Sequence, residues 1–590
     1  MPTPTPAPDR RPHRFAVWAP DAVTVEVEVD GGVHPMRRDP SRDGWWETGV
    51  PADPAASRYG FRLDGGPTRP DPRSPRQPDG PDGLSRLVDH AAFPWRTPER
   101  PGHGFDGAVL YELHVGTFSP EGTFDAALAR LPHLAELGVT HVELMPVCSF
   151  PGRQGWGYDG VSPWSVHEPY GGPDGLKRFV DAAHGHGLGV VLDVVHNHLG
   201  PSGNHLPAFG PYFTDRHHTP WGAAVNLDAP GSDEVRAYLI DSALAWLRDY
   251  RIDGLRLDAV HALVDTRALP FLEQLAAAVD ALARRSGRPL FLVGESDLND
   301  PRLITPREAG GTGLAGQWSD DFHHALHATL TGERQGYYAD FAARPLAALA
   351  KTLTGGFFHD GSWSSFRGRS HGRPLDALRT PMHRLLGYAQ THDQIGNRAL
   401  GDRLAATLTP ELLAAGAALV LLSPFTPMLF MGEEWGASTP WQYFTDHQDP
   451  ALAQAVREGR RREFAEHGWR PDQIPDPQAE STFAASRLDW TEPQRGHHAA
   501  LLEWYRLLLR LRGLATGAAE VRFDEAARWL TVRRGALTLG VNLADGPREL
   551  PLPEGRRVAA FPAGQATGPV LAPQATVIVH GAGEADPRDR

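Results

Sequence analysis

From residue 107 onward the chain alternates short apolar runs with amphipathic stretches, and this rhythm constrains its fold more than any other feature. Ala108-Val-Leu-Tyr-Glu-Leu-His-Val is followed by a helical pattern over 124–137 that ends at Gly138. His141-Val-Glu-Leu-Met-Pro-Val and Gly189-Val-Val-Leu-Asp-Val-Val-His repeat the unit, with helices expected over 174–186, 233–250 and 268–285. Such alternation implies a parallel sheet, and about eight units, the last at Pro427-Met-Leu-Phe-Met-Gly-Glu, imply a closed α/β barrel of (β/α)8 type. Three of the strand-like runs stop abruptly on a carboxylate. They are Gly254-Leu-Arg-Leu-Asp258, Phe291-Leu-Val-Gly-Glu295 and Tyr388-Ala-Gln-Thr-His-Asp393. A carboxylate at the end of a buried strand is costly to desolvate. In a parallel barrel, however, the C-terminal strand ends form the floor of the active site. Three acids converging there suit acid/base and nucleophilic work on a polar, uncharged substrate.

The flanks follow a different rhythm. Residues 1–12 are rich in proline and are expected to form a disordered tail. Over 13–95 the pattern is β: Val23-Thr-Val-Glu-Val-Glu-Val29 alternates with a period of two, and turn signals stand at Asp30-Gly31-Gly32 and Asp43-Gly44. An N-terminal β-sandwich of immunoglobulin-like type accounts for this segment. The barrel is expected over 100–512, with an insertion at about 199–230 after the third strand that is too long for a simple connector. Short strands such as Trp529-Leu-Thr-Val and Leu537-Thr-Leu-Gly-Val-Asn-Leu return after 515, giving a C-terminal β-sandwich over 515–590.

Composition narrows the function classes. A formal net charge of −14 argues against nucleic acid or an anionic membrane surface as the main partner. The single cysteine, Cys148, excludes an internal disulfide and reads as a packed small residue. The charged N-terminus lacks the apolar core of a signal peptide, and no run approaches the roughly 18 apolar residues of a membrane span. A cytoplasmic enzyme is expected.

Arg256 and Asp258 are two residues apart on one strand, so both point to the same side, about 6–7 Å apart. A guanidinium there favours the ionised carboxylate, as a nucleophile requires, although the pair alone would also serve as a structural ion pair. Glu295 follows Val-Gly, a more apolar setting that favours a protonated general acid. Trp156-Gly-Tyr158-Asp159, His196-Asn197-His198, His261, His392 and Asn397-Arg398 add aromatic faces and hydrogen-bond donors suited to sugar hydroxyls. Each alone is more often structural; on strand-end loops together they describe a polar cleft.

Four segments make a family likeness specific: Asp193-Val-Val-His-Asn-His198, Gly254-Leu-Arg-Leu-Asp-Ala-Val-His261, Gly294-Glu-Ser and Gln390-Thr-His-Asp-Gln-Ile-Gly-Asn397. In order and spacing they resemble the four signature regions of the α-amylase family of glycoside hydrolases. The resemblance implies Asp258 as nucleophile, Glu295 as acid/base and Asp393 as the acid that binds sugar hydroxyls and distorts the ring. It places Asp193, Asn197, His198, Arg256, His392, Gln394 and Asn397 around that ring, with Tyr158 stacking on it. It also implies retention of anomeric configuration, for which the two working carboxylates stand about 5–5.5 Å apart.

Within that family the chain is most similar to the maltooligosyltrehalose trehalohydrolases. The likeness rests on His261, Glu295-Ser-Asp-Leu-Asn-Asp300, Gln317-Trp-Ser-Asp-Asp-Phe-His-His324, Pro424-Phe-Thr-Pro-Met-Leu-Phe-Met-Gly-Glu-Glu-Trp-Gly436 and Trp441-Gln-Tyr-Phe-Thr-Asp-His447. It implies cleavage of the α-1,4 bond next to the terminal trehalose of maltooligosyltrehalose, a substrate made by maltooligosyltrehalose synthase. No cofactor and no metal are implied. The resemblance puts Asp297, Asp320, Asp321, Phe322, His324 and the loop to Asn299 near the trehalose unit.

Other readings are a glycogen branching or debranching enzyme of the same family, and a glycan-binding barrel without catalysis. A further one is a metal-dependent amidohydrolase-type barrel built on His196-Asn-His198. The N-terminal sandwich resembles modules that accompany glycogen- and starch-acting enzymes; its Trp45-Trp46 pair, if exposed, would suit glycan binding, and core packing or a barrel interface accounts for the pair at least as well.

Overall fold

The computed structural model describes residues 11–98, 102–465, 469–564 and 568–582. Most of the expected N-terminal tail lies outside these residues, as does 583–590. The first strand, Arg11–Trp18, begins inside the expected tail.

Eight parallel strands close into one barrel: β1 (Leu110–Leu113), β2 (His141–Leu144), β3 (Gly189–Val194), β4 (Gly254–Leu257), β5 (Phe291–Gly294), β6 (Gly316–Trp318), β7 (Leu385–Gly387) and β8 (Thr426–Phe430). Each pairs with its sequence neighbour, and β8 closes on β1 through Met428 opposite Leu110. All eight are buried on both faces, which explains their near-continuous apolar runs. Leu110, Val191, Phe291, Val293, Leu386 and Met428 pack together as the apolar part of the interior. At Gly254 a Cβ would collide with the Phe291 ring, so glycine makes room for that packing. Toward the C-terminal ends the fully buried positions turn polar: Glu112, Glu143, Asp193 and Arg256.

Helices cover the barrel between strands, among them Gly172–Gly185, Ser232–Asp249, Phe271–Ser286 and Pro410–Leu421. The span expected as one helix over 124–137 is split into Phe124–Ala127, a 3-10 turn and Leu131–Leu137, with Pro132 at the start of the last piece. The insertion after β3 folds into a hairpin, Phe213–Thr219 with Gly222–Val225, which carries a half-exposed Trp221 at its turn.

Two antiparallel sheets form the N-terminal unit, and they meet where Phe15 packs on Tyr59 with ring centroids 5.1 Å apart. Trp18 packs on Tyr212, and Arg73 pairs with Asp241 of the Ser232–Asp249 helix at 2.8 Å, tying this unit to the barrel. Trp45 and Trp46 are both buried, beneath Arg42 and Arg38, and the Trp46 indole N–H donates to the Ala19 carbonyl. They are core residues, not a glycan platform. The C-terminal unit is a five-stranded antiparallel sheet with a two-stranded partner. It joins the barrel through Arg534, which donates to the Leu422 carbonyl at 3.0 Å, and through Trp504 against Phe561.

Candidate active site

The site is built around one guanidinium. Arg256, fully buried on β4, donates through Nη1 to Asp193 Oδ2 at 2.7 Å and to Asp258 Oδ1 at 2.9 Å. Its Nη2 lies 3.1 Å from Glu295 Oε2. The strand register makes this possible: Asp193 on β3 is opposite Arg256, and Asp258 and Glu295 each follow the last residue of β4 and β5. The guanidinium itself rests on the Trp318 ring of β6, 4.4 Å from its centroid.

Asp258 is held from its other side by Asn197, whose amide donates to Oδ2 at 2.6 Å and to the backbone carbonyl at 2.8 Å. Ala259 next to it is left-handed, with φ of 38°, a costly conformation for a residue with a Cβ. That turn aims the Ala259 N–H at Glu295 Oε2, 2.6 Å away, and so joins the two strand ends. Burial pushes Glu295 up to about 8; Arg256 opposes this, and the charges of Asp258 and Asp393 add to it. A carboxyl that keeps its proton at neutral pH is equipped to act as a general acid. Burial likewise raises Asp193 to about 6.

Tyr158 donates to Asp193 Oδ2 at 2.5 Å, and its oxygen stands 2.8 Å from His392 Nε2, with the two rings stacked. Asp393 does not end a strand. It is the second residue of a short helix, His392–Gly396, beyond β7. A capping box sets that helix: Thr391 accepts from the Asp393 N–H while Gln394 Oε1 accepts from the Thr391 N–H. Gln394 is thereby committed to the cap. The carboxylate of Asp393 is 40% exposed, 3.5 Å from His392 Nε2 and 3.5 Å from the Asn397 amide.

On the far side the residues of the expected trehalose end divide. Asp297 is partly exposed and pairs with Arg367 at 2.6 Å, with His261 Nδ1 4.0 Å away. Asp320 accepts from the Tyr388 hydroxyl at 2.5 Å, and burial raises it to about 7. Asp321 is turned inward: Asn299 and the Phe358 and His359 amides all donate to its Oδ2, so it pins a loop instead of facing the cleft. Phe322 is fully buried against Phe425 and offers nothing to a sugar. Both depart from expectation for one reason: a helix starting at Asp320 turns its second and third residues into the core. His324 stacks on Tyr337, with centroids 4.4 Å apart.

His196 and His198 face different neighbours. His196 is buried near Phe271, while His198 stacks on Trp221 at 4.5 Å, and its Nδ1 lies 2.5 Å from Asn197 Oδ1. Among the described residues no group of three or more His, Cys, Asp or Glu could hold a metal ion. A cavity of about 720 Å³ lined by Phe93, Arg96, Asp174 and Asp181 lies apart from Asp193, Asp258, Glu295 and Asp393, none of which lines it.

Several site residues escaped the sequence reading. Glu112 on β1 contacts His392, Trp318 underlies Arg256, and Arg367 and Phe366 stand on a small hairpin beside Asp297 and Tyr337. The signal for Glu112 and Glu143 was available, as each is a lone acid inside an otherwise apolar barrel strand.

Comparison with known proteins gives the family. The alpha amylase catalytic domain model matches residues 92–207, and a domain of unknown function matches 515–578. A malto-oligosyltrehalose trehalohydrolase of Arthrobacter ramosus is 55% identical, covering 91% of this chain and 94% of that protein. One from Mycobacterium tuberculosis (strain ATCC 25618 / H37Rv) is 53% identical, covering 91% and 94%. A 1.4 Å crystal structure of a Salmonella typhimurium protein assigned to the alpha amylases superposes with a TM-score of 0.88 at 39% identity, covering 96% of this chain and 97% of that one. By contrast, a 1,4-alpha-glucan branching enzyme of Bacillus caldolyticus matches at 31% over 52% of this chain and 51% of its own length. The chain belongs to the malto-oligosyltrehalose trehalohydrolases, within the α-amylase family of glycoside hydrolases.

Proposed function

We propose that the protein hydrolyses the α-1,4 bond adjoining the terminal trehalose of maltooligosyltrehalose, with retention, releasing trehalose and a maltooligosaccharide. The observation that carries this reading is the pair of unlike carboxyls on one guanidinium: Asp258 bound by Arg256 and Asn197, and Glu295 held protonated up to about 8. Asp258 attacks the anomeric carbon while Glu295 gives its proton to the departing glycosidic oxygen, leaving a covalent glycosyl–enzyme. Glu295, now a carboxylate, takes a proton from water, whose oxygen attacks the same carbon and frees Asp258. Asp393, exposed beside His392 and Asn397, holds the hydroxyls of the ring being cut.

Trehalose is the leaving group, so it lies on the Glu295 side. Asp297 with Arg367, together with the exposed faces of Trp221 and Phe366, supply the polar and stacking contacts we assign to it. The substrate is the product of maltooligosyltrehalose synthase, so the enzyme acts after that step.

The test is product analysis on maltopentaose and on maltotriosyltrehalose, with Asp258→Asn as control. Free trehalose from the second substrate, absent in the control, is expected. New α-1,6 linkages formed from longer amylose would overturn the reading in favour of a branching enzyme.

A further inference from the structure

Beneath the site, Glu112 on β1 is almost fully buried, and the two oxygens of its carboxylate both serve one residue. Oε1 lies 2.5 Å from His392 Nδ1, and Oε2 accepts the His392 backbone N–H at 3.1 Å. On the opposite edge of the imidazole, Nε2 stands 2.8 Å from the Tyr158 oxygen. The Tyr158 proton is committed to Asp193 Oδ2, so its oxygen accepts from His392. With Glu112 as a carboxylate, which can only accept, both ring nitrogens carry a proton: Nδ1–H donates to Glu112 and Nε2–H to Tyr158. From this geometry we propose that Glu112 is a positioning residue that keeps His392 as an imidazolium, fixing a positive charge beside Tyr158 and Asp393 where the reacting sugar ring sits. The inference rests on the reading of this cleft as a glycosidase site.

The surroundings agree. Burial alone would lower the His392 pKa, yet Glu112 and Asp393 raise it to about 9. The charged and titratable groups around the ring are Glu112 on β1, Glu143 on β2, Asp193 on β3, Arg256 on β4, His114 and Tyr158 on loops, and Asp393 on its own helix. Burial holds Glu143 well above the usual carboxylate range, and His114 well below the usual histidine range, down to about 3, so His114 is neutral at pH 7. Arg256 opposes a second cation nearby. Without Glu112 the burial that disfavours the imidazolium would lose its largest opposing charge.

Glu112→Gln separates charge from scaffold. The amide oxygen can still accept the His392 backbone N–H, and its NH2 can donate to an unprotonated Nδ1, so the ring stays in place but neutral. With wild-type activity on maltotriosyltrehalose as the baseline, the alkaline limb of the kcat/KM profile in Glu112→Gln is expected at least one pH unit lower, with loss concentrated above pH 6. In a His392→Asn background the same substitution should have almost no further effect. A uniform loss at every pH, or a loss that adds fully to that of His392→Asn, would overturn the proposal. An inactive wild type would instead sink the glycosidase reading itself. Should Glu112→Gln not fold, 15N-histidine NMR of the wild type, with His392 assigned by its absence in His392→Asn, decides the matter. Two protonated ring nitrogens at pH 8 support the proposal, and a neutral ring overturns it.

Discussion

Strand β4 carries a buried aspartate at each end, and the two are held in opposite ways. Asp253, just before the strand, accepts from His184 Nε2 at 2.8 Å, the Val190 N–H at 2.8 Å and Arg288 Nη2 at 3.0 Å. Burial would raise its pKa, but these partners pull it below the usual carboxylate range. Asp258, just after the strand, shares its guanidinium with Asp193 and Glu295. Asp193 Oδ1, Arg256 Nε and both Glu143 oxygens stay buried without a hydrogen-bond partner in this region. One end is satisfied and holds the barrel together. The other is left short of partners, and only such an end has capacity to spare for a substrate.

Removing either aspartate should therefore break different things. With Asp258 as the proposed nucleophile, Asp258→Asn is expected to lower kcat by about 10⁴-fold or more, while circular dichroism and the thermal midpoint stay close to wild type. Asp253→Asn is expected to do the reverse. It leaves the Arg288 charge buried without its partner, a defect that costs about 3–5 kcal/mol, yet the protein that remains folded should keep a near-normal kcat. Denaturant titrations beside steady-state kinetics check both, and a large kcat loss in Asp253→Asn would dissolve the distinction.

Much of this contrast was legible in the sequence. The alternation of runs specifies the barrel because period and composition are local properties, and Asp258 and Glu295 stand out because carboxylates rarely end apolar strands. Asp393, expected at a strand end, lies instead on a helix, and the capping box that puts it there is a contact three residues long. The inward turn of Asp321 and Phe322 was not legible, because a helix start says nothing about which face meets the core. Nor was Glu112, whose role depends on a partner 280 residues away. Between glycan binding and core packing the sequence leaves Trp45-Trp46 undecided, because burial beneath Arg38 and Arg42 is a property of the folded surface.

The two ends should also differ in how pH acts on stability. Glu295 is raised to about 8 in the folded state, so between its unfolded value near 4.5 and 8 the native protein holds a proton that the unfolded chain has lost. Stability from this residue accordingly falls as pH rises through that window. Asp253, whose pKa is lowered, contributes stability above its unfolded value of about 3.8 that is lost as pH falls further. Glu295→Gln removes the first effect. It should be inactive and more stable than wild type by about 1–3 kcal/mol at pH 8, and the gain should vanish near pH 4. Equal gains at both pH values would show that burial of the charge is not what Glu295 costs the fold.

The smallest effect tests whether the open end extends into the insertion. Trp221 is 49% exposed and stacks at 3° to the His198 ring, which in turn stands beside Asn197 and so beside Asp258. If its free face meets substrate, Trp221→Ala loses one aromatic contact of about 1 kcal/mol, which is about fivefold in kcat/KM. The loss should fall mainly on KM and be larger for maltotriosyltrehalose than for maltopentaose. The thermal midpoint should hardly move, because an exposed ring on a hairpin turn buries little. Trp46→Ala provides the opposite control: it removes a buried ring and should cost about 3–5 kcal/mol of stability with KM unchanged. A Trp221→Ala enzyme with wild-type KM on both substrates would confine the working end to the strand termini and make the insertion a cover for His198 alone.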